Sequence, residues 1–298
     1  MCLHTGTIPS KTLREAARYL SGFRQRSSYC RGYRVKAKIQ IEDLMFRVSE
    51  VIKRQFAVLQ DQPQRAGVEV ISGHGRFLEE PHAIDVELTG GGRHKRLTAD
   101  FILIACGTRP ARRDDIPFAA SQIYDSDELI QVTEGDLPKS MIVVGGGVIG
   151  LEYASMMAAL GVEVTVIEAK NSLLPYVDEE ITQTLMYHLR RFGLTFRLGE
   201  KVVLVEAPPG GVVASLESGK TLTAETLLYA VGRQPNTDRG NLGATGLQTE
   251  ARGRLKTDAD FRTAIPHIFA AGDVVGFPSL ASTSMEQGRH AVCSMFRV

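Results

Sequence analysis

The sequence has almost no excess of charge: 35 Lys and Arg stand against 34 Asp and Glu, a formal net charge of +1. It therefore lacks the basic field that draws a chain to nucleic acid or to an anionic membrane. No apolar run approaches the roughly 20 residues that a bilayer-spanning helix needs. Cysteine is scarce, and the four present (Cys2, Cys30, Cys106, Cys293) have no metal-ligand spacing. The seven histidines form no His-x-x-x-His pair, which argues against a metal site. Met1 to Gly6 lacks the basic and apolar regions of a secretory leader. These absences predict a reducing, cytoplasmic setting with no nucleic-acid partner, no membrane partner and no metal. The length suggests about two domains.

What is present is concentrated in one stretch. Met141-Ile142-Val143-Val144 is an apolar strand running into Gly145-Gly146-Gly147-Val148-Ile149-Gly150. A helical stretch, Leu151 to Leu160, and a second apolar strand, Val162 to Ile167, follow. Gly-x-Gly-x-x-Gly between strand and helix is the phosphate loop of a dinucleotide-binding βαβ unit. Gly145 allows the tight turn, Gly147 lets the backbone approach a pyrophosphate, and Gly150 lets helix and strand pack closely. Val148 and Ile149 open a helix whose free N–H groups and partial positive charge face the phosphates. Glu168 lies about twenty residues on, where a carboxylate accepts from a ribose diol. It favours NAD and repels a 2′-phosphate, a repulsion that Lys170 offsets.

Along the rest of the chain, Ile8 to Leu20 reads as a helix with Leu13, Ala16, Ala17 and Leu20 on one face. Leu44, Val48, Ile52, Phe56 and Leu59 mark a second amphipathic helix. Val68–Ile71, Ala83–Leu88 and Phe101–Ala105 read as strands, with Gly90 to Arg93 as a hairpin turn between two of them. Asp178 to Arg191 is helical, and Val202–Val205, Val212–Leu216 and Leu227–Val231 are strands, the first two joined by a turn at Pro208 to Gly211. A further helix follows Ser282. Phe101 to Pro110 and Leu227 to Pro235 are alike, each an apolar strand, a Gly turn, an Arg and a Pro. Such an echo suggests two related nucleotide-binding domains.

Several stretches, in this order, carry a family likeness: Cys2-Leu3-His4-Thr5-Gly6-Thr7-Ile8-Pro9-Ser10-Lys11, Ala105-Cys106-Gly107-Thr108-Arg109-Pro110, the glycine loop with Glu152, Val231-Gly232-Arg233-Gln234-Pro235-Asn236, and Ile268-Phe269-Ala270-Ala271-Gly272-Asp273-Val274. Together they resemble the pyridine nucleotide–disulphide oxidoreductases, flavoproteins with two dinucleotide-binding domains. The resemblance implies an α/β fold with two Rossmann-like domains, the NAD(P) domain inserted in the FAD domain. Residues 1–136 would be FAD-binding, 137–255 NAD(P)-binding, and 256–298 the return of the FAD domain. It implies cofactor contacts at Gly75, Gly107, Thr108, Gly232, Arg233, Gly272, Leu280 and Ala281. Asp273 would hold the flavin's ribityl chain; a helix N-cap is the other use of such a carboxylate. Lys11 would lie near the flavin ring and pair with Glu152, the two residues acting catalytically by stabilising charge on the reduced ring. The family also has an FAD-binding βαβ unit upstream of the Cys motif and a dimerisation domain downstream. The sequence therefore reads as an internal fragment of a protein that is a homo-oligomer at full length.

One departure decides the expected chemistry. The disulphide reductases use Cys-x-x-x-x-Cys, but here Cys2 is followed by Thr7. A Thr hydroxyl neither forms a disulphide nor acts as a thiolate. This version, with the run Gly276 to Ser282, resembles the soluble pyridine nucleotide transhydrogenases within the family. That implies ping-pong hydride transfer from NADPH through FAD to NAD, the nicotinamide coenzymes being the substrates. Two alternatives are a flavin-dependent NAD(P)H oxidoreductase with a quinone, oxygen or protein acceptor, and an inactive fragment that binds NAD alone.

Overall fold

The computed structural model describes residues 2–22 and 38–298; Cys30 lies outside the described residues. The chain packs as two compact units, one holding Cys2–Phe56 and Pro110–Gly232, the other Ala57–Arg109 and Arg233–Val298. The changes of unit at Arg109/Pro110 and Gly232/Arg233 fall inside or at the end of the two mutually similar segments, and a third lies between Phe56 and Ala57. They do not coincide with the 136/137 and 255/256 divisions read from motif order.

The first unit is built on a five-stranded sheet in the order Ile123–Asp125, Thr226–Tyr229, Ser140–Val144, Glu163–Glu168, Leu194–Leu198, with every neighbouring pair parallel. Parallel sheets are covered on both faces, so their strands are unbroken apolar runs. Met141 to Val144 are accordingly all buried. The edge strand Leu194–Leu198 is absent from the sequence reading, although Leu-Thr-Phe-Arg-Leu alternates as a half-buried strand does. Helix Val148–Ala159 is apolar all round because it packs against both strand Glu163–Glu168 and helix Thr7–Leu20. The expected face of that N-terminal helix, Leu13, Ala16 and Ala17, is buried in one core with Leu151, Ala154 and Met157. Pro9 sits in its first turn, where a missing N–H breaks no helical bond. Full burial of Leu13 contributes roughly 2 kcal/mol.

The second helix runs from Ile41 to Arg65, longer than its apolar spacing suggests. Leu44 and Val48 are buried, but Phe56 and Leu59 are exposed, so the stripe is only half used. A three-stranded antiparallel sheet, Val202–Glu206, Val212–Leu216 and Thr221–Ala224, carries the expected turn at Pro208 to Gly211.

In the other unit, Gly73–Phe77, Ala83–Leu88 and His94–Thr98 form an antiparallel meander. Gly90, Gly91 and Gly92 turn between the last two with φ of 104°, 87° and 75°. Strand His94–Thr98 was not foreseen, because its His-Lys-Arg-Leu-Thr has one apolar residue. The expected strand at Val68–Ile71 is not formed, and Val68 and Val70 are exposed. β-Branched residues favour a strand only where a neighbour completes the ladder, and none of the described strands pairs with this stretch. Ile268–Ala270 pairs in parallel with Ile102–Ile104 and is fully buried with Leu255 and Val274. The last helix spans Ala281–Phe296. Among the described residues there is no cluster suited to a metal ion and no helix long and apolar enough to cross a membrane.

His82 and His267 stack in this unit with ring centroids 3.8 Å apart. Burial, and then the charge of His82, hold His267 below the usual imidazole pKa. The unfolded chain therefore binds the proton first as pH falls. The stability that this imidazole contributes is fully present above about pH 6.5 and is lost as pH drops through the unfolded value toward the folded one. His82 has φ 64°, a conformation Asn accepts well. Urea midpoints at pH 7.5 and 5.5 are expected to show a smaller acid loss for His82→Asn than for the parent. Equal losses would assign the acid sensitivity elsewhere.

Candidate functional site

The glycine loop follows strand Ser140–Val144 directly. Gly145 has φ 110°, and a Cβ there would lie 2.6 Å from the Ala230 carbonyl oxygen. At Gly150 a Cβ would lie 2.0 Å from the carbonyl oxygen of Gly145. Gly147 differs: its φ is −78°, and nothing lies within 4 Å of where its Cβ would be. The first and last glycines are thus demanded by the protein's own packing, while the middle one leaves open space at a helix start. No side chain caps that helix at Gly147, so its leading N–H groups are available to an anion. Val148 and Ile149 form its first turn.

Glu168 ends the next strand and reaches back across the loop. Its Oε2 accepts from the Gly146 N–H at 2.7 Å and its Oε1 from the Lys170 N–H at 2.9 Å. Each oxygen retains a further lone pair for a ribose hydroxyl. Gly146 was not among the expected residues; it lies within the motif, but no spacing rule tells where its N–H points. The side chain of Lys170 is exposed beside this tether.

Lys11 Nζ donates to Glu152 Oε1 at 2.5 Å, joining helix Thr7–Leu20 to helix Val148–Ala159. The Lys11 side chain is 47% exposed and that of Glu152 17%. A pair this exposed is worth under about 1 kcal/mol to stability, so its significance is placement. Glu152 fixes an ammonium two residues past the end of the glycine loop. Thr7 opens the helix that carries Lys11, and the described cysteines, Cys2, Cys106 and Cys293, are free. Gly232, with φ 96°, follows strand Thr226–Tyr229 in the same unit.

The remaining expected residues belong to the other unit. Arg233 Nε donates to the Thr108 hydroxyl at 2.8 Å and its Nη2 to the Thr108 carbonyl at 2.9 Å. The buried Thr108 hydroxyl in turn donates a hydrogen bond to Asp273 Oδ2 at 3.2 Å. The hydroxyl thus orients the carboxylate. Asp273 lies in the first turn of the short helix Gly272–Val275, whose N-cap is Ala271, so the alternative N-cap use is not realised. Gly107 and Gly272 have φ of 64° and 83°, and Gly272 N–H donates to Gln287 Oε1 at 2.8 Å. Leu280 caps helix Ala281–Phe296 without a side-chain bond. Gly75 faces Val86 in the meander with open space at its Cβ position.

Arg109 and Asn236 were quoted in the motifs but given no role. Arg109 grips Asp238 at 3.0 and 2.9 Å and Asn236 Oδ1 at 3.1 Å, while Asn236 Nδ2 donates to the Cys106 carbonyl at 2.9 Å. This network braces the turn at Gly107, and the guanidinium holds the Asp238 carboxyl below its usual range.

Residues 1–288, which include this strand, glycine loop and helix, match the family described as pyridine nucleotide-disulphide oxidoreductase. The chain belongs to that family. The soluble pyridine nucleotide transhydrogenase of Mycobacterium bovis (strain BCG / Pasteur 1173P2) is 48% identical to this chain over 296 residues, which is 99% of this chain and 63% of the relative. That of Citrobacter koseri is 38% identical over 296 residues, 62% of its length. The crystal structure of LpdA from Mycobacterium tuberculosis superimposes with a TM-score of 0.90 at 27% identity, covering 99% of this chain and 64% of that one. The HOCl-induced flavoprotein disulfide reductase RclA from Escherichia coli gives a TM-score of 0.82 at 26% identity, covering 99% and 62%. The chain therefore spans about 63% of the length of the first of these relatives. The family resemblance and the α/β fold with Rossmann-type nucleotide-binding domains are borne out.

Proposed function

We propose that the chain carries the nicotinamide site of an FAD-dependent transhydrogenase, which moves hydride from NADPH to NAD in a ping-pong cycle without a redox disulphide. The observation that supports this above all is the Lys11–Glu152 pair, set beside a glycine loop with open space at Gly147, in a chain with Thr7 where disulphide exchange needs a second thiol. The nicotinamide coenzyme fits this cradle: its pyrophosphate would be held by the backbone of Gly145 to Gly150 and its ribose by Glu168. FAD would be held by Gly75, Gly107, Thr108, Gly272, Asp273, Leu280 and Ala281, within the division 1–136, 137–255 and 256–298. When bound, FAD supplies two-electron hydride exchange with nicotinamide. The chain's residues position and polarise: Lys11 presents a cation that Glu152 keeps in place, and the Arg233–Thr108–Asp273 relay fixes a carboxylate for hydroxyl groups. Hydride transfer needs no general acid or base. The reading includes a cytoplasmic setting and a homo-oligomer for the full-length protein.

Coenzyme preference supplies one test. Removing the Glu168 carboxylate removes repulsion of a 2′-phosphate but also the tether on Gly146 and Lys170. Glu168→Ala is expected to weaken NADH binding more than NADPH binding, moving the ratio of Kd values by about tenfold. An unchanged ratio in calorimetric titrations would remove Glu168 from ribose recognition. The activity itself is tested by anaerobic NADPH-to-thio-NAD transfer by the FAD-loaded protein, with lipoamide as control. Rapid thio-NAD reduction without lipoamide turnover is the expected result. Flavin reduction with no thio-NAD product would overturn the reading in favour of another acceptor.

A further inference from the structure

A cavity of about 250 Å³ lies in the first unit, away from the glycine loop. Met141 and Thr226 line it, at the N-terminal ends of strands whose C-terminal ends lead into Gly145 and Gly232. At roughly 3.3 Å per residue, the length of strand Ser140–Val144 separates it from the loop by about 13 Å. Leu13 lines it from the helix that carries Lys11, and Met157 from the helix that carries Glu152.

The lining has a definite chemistry. Met45, Met141 and Met157 contribute thioethers, which adapt to flat guests and favour aromatic faces. Tyr124 also lines the cavity, and among the described residues its hydroxyl has no hydrogen-bond partner. Burial, and then the charge of Glu128, push this phenol's pKa up, so it stays protonated at neutral pH. Glu225 accepts from the Lys139 N–H through Oε2 at 2.7 Å, which leaves Oε1 as an acceptor. An apolar cavity of about 150 Å³ holds benzene, so this one has room for two fused rings.

We infer that this cavity is a binding site for a neutral or cationic aromatic molecule of one or two rings bearing one hydrogen-bond donor. The rings would lie among the methionines, and the donor would bond the Tyr124 hydroxyl oxygen. Anionic aromatics would be refused by the Glu225 carboxylate in the lining, Asp136 being paired with Lys38 at 2.7 Å. The site is independent of the proposed coenzyme chemistry and touches both helices that the Lys11–Glu152 pair joins.

The test uses the whole chain with its eight methionines labelled at the methyl carbon and 2-naphthol as the probe. Saturable methyl shifts confined to Met45, Met141 and Met157 are expected, with none from 2-naphthoate. Val132→Phe, which fills the cavity from its lining, is expected to abolish them. Tyr124→Phe, which leaves the packing intact, is expected to weaken binding about fivefold. No shift up to the solubility of 2-naphthol, shifts at other methionines alone, or undiminished binding in a folded Val132→Phe protein would each overturn the proposal. If Val132→Phe does not fold, an unchanged Kd in Tyr124→Phe overturns it instead.

Discussion

Gly147→Ala is expected to lose at least about tenfold in NADH affinity while melting within about a degree of the parent, whereas Gly150→Ala is expected to lose both binding and stability. The contrast follows from where each Cβ would go. At Gly147 the added methyl meets no protein atom and the backbone is already ordinary, so folding has nothing to resist it. The space it enters is the space a pyrophosphate would use. At Gly150 the methyl would lie 2.0 Å from the Gly145 carbonyl oxygen, and a backbone oxygen on a strand-to-helix turn has nowhere to move. Overpacking of this kind costs about 3 kcal/mol, enough to lower the melting temperature of a domain this size by several degrees. Thermal melts and NADH titrations of both variants decide the matter. Undiminished NADH affinity in Gly147→Ala would take the loop out of nucleotide binding.

Lys11→Met is expected to slow reduction of the FAD-loaded protein by NADPH about a hundredfold, the scale on which removal of one fixed electrostatic donor acts. NADPH affinity should change little, because the ammonium is not in the phosphate loop. Stability should barely move, since a pair with Lys11 47% exposed contributes under about 1 kcal/mol. Glu152→Gln serves as the companion. It keeps the shape and a hydrogen-bond acceptor but removes the charge that holds the lysine, so an intermediate slowing is expected. Stopped-flow traces at several NADPH concentrations separate rate from affinity. Equal reduction rates in Lys11→Met and the parent would sink the assignment of Lys11.

The strand, glycine turn and helix of the candidate site were legible in the sequence. Gly145 and Gly150 stand at fixed offsets because the close strand-to-helix turn leaves no room for a Cβ at either position. That constraint is local, so it is written locally. The apolar runs at Met141, Val162 and Leu227 announced buried parallel strands for a similar reason. The failures also have causes. Leu194–Leu198 and His94–Thr98 are edge strands with polar faces, and they take their conformation from a neighbour's hydrogen bonds. Val68–Ile71 has strand composition but no partner among the described strands, and composition alone does not make a ladder.

The sequence by itself determined the family, the strand–glycine-loop–helix turn and the presence of Thr rather than Cys at position 7, because each depends on residue type at short range. Tertiary structure decided what the polar groups do. Residues 141 positions apart meet in the Lys11–Glu152 pair, Glu168 turns back to clasp Gly146, and Arg233 reaches Asp273 through the Thr108 hydroxyl. The empty space among Met45, Met141 and Met157 has no signature in the chain at all. Charges, hydroxyls and voids act over a few ångströms in space, and only packing sets which distant residues come that close.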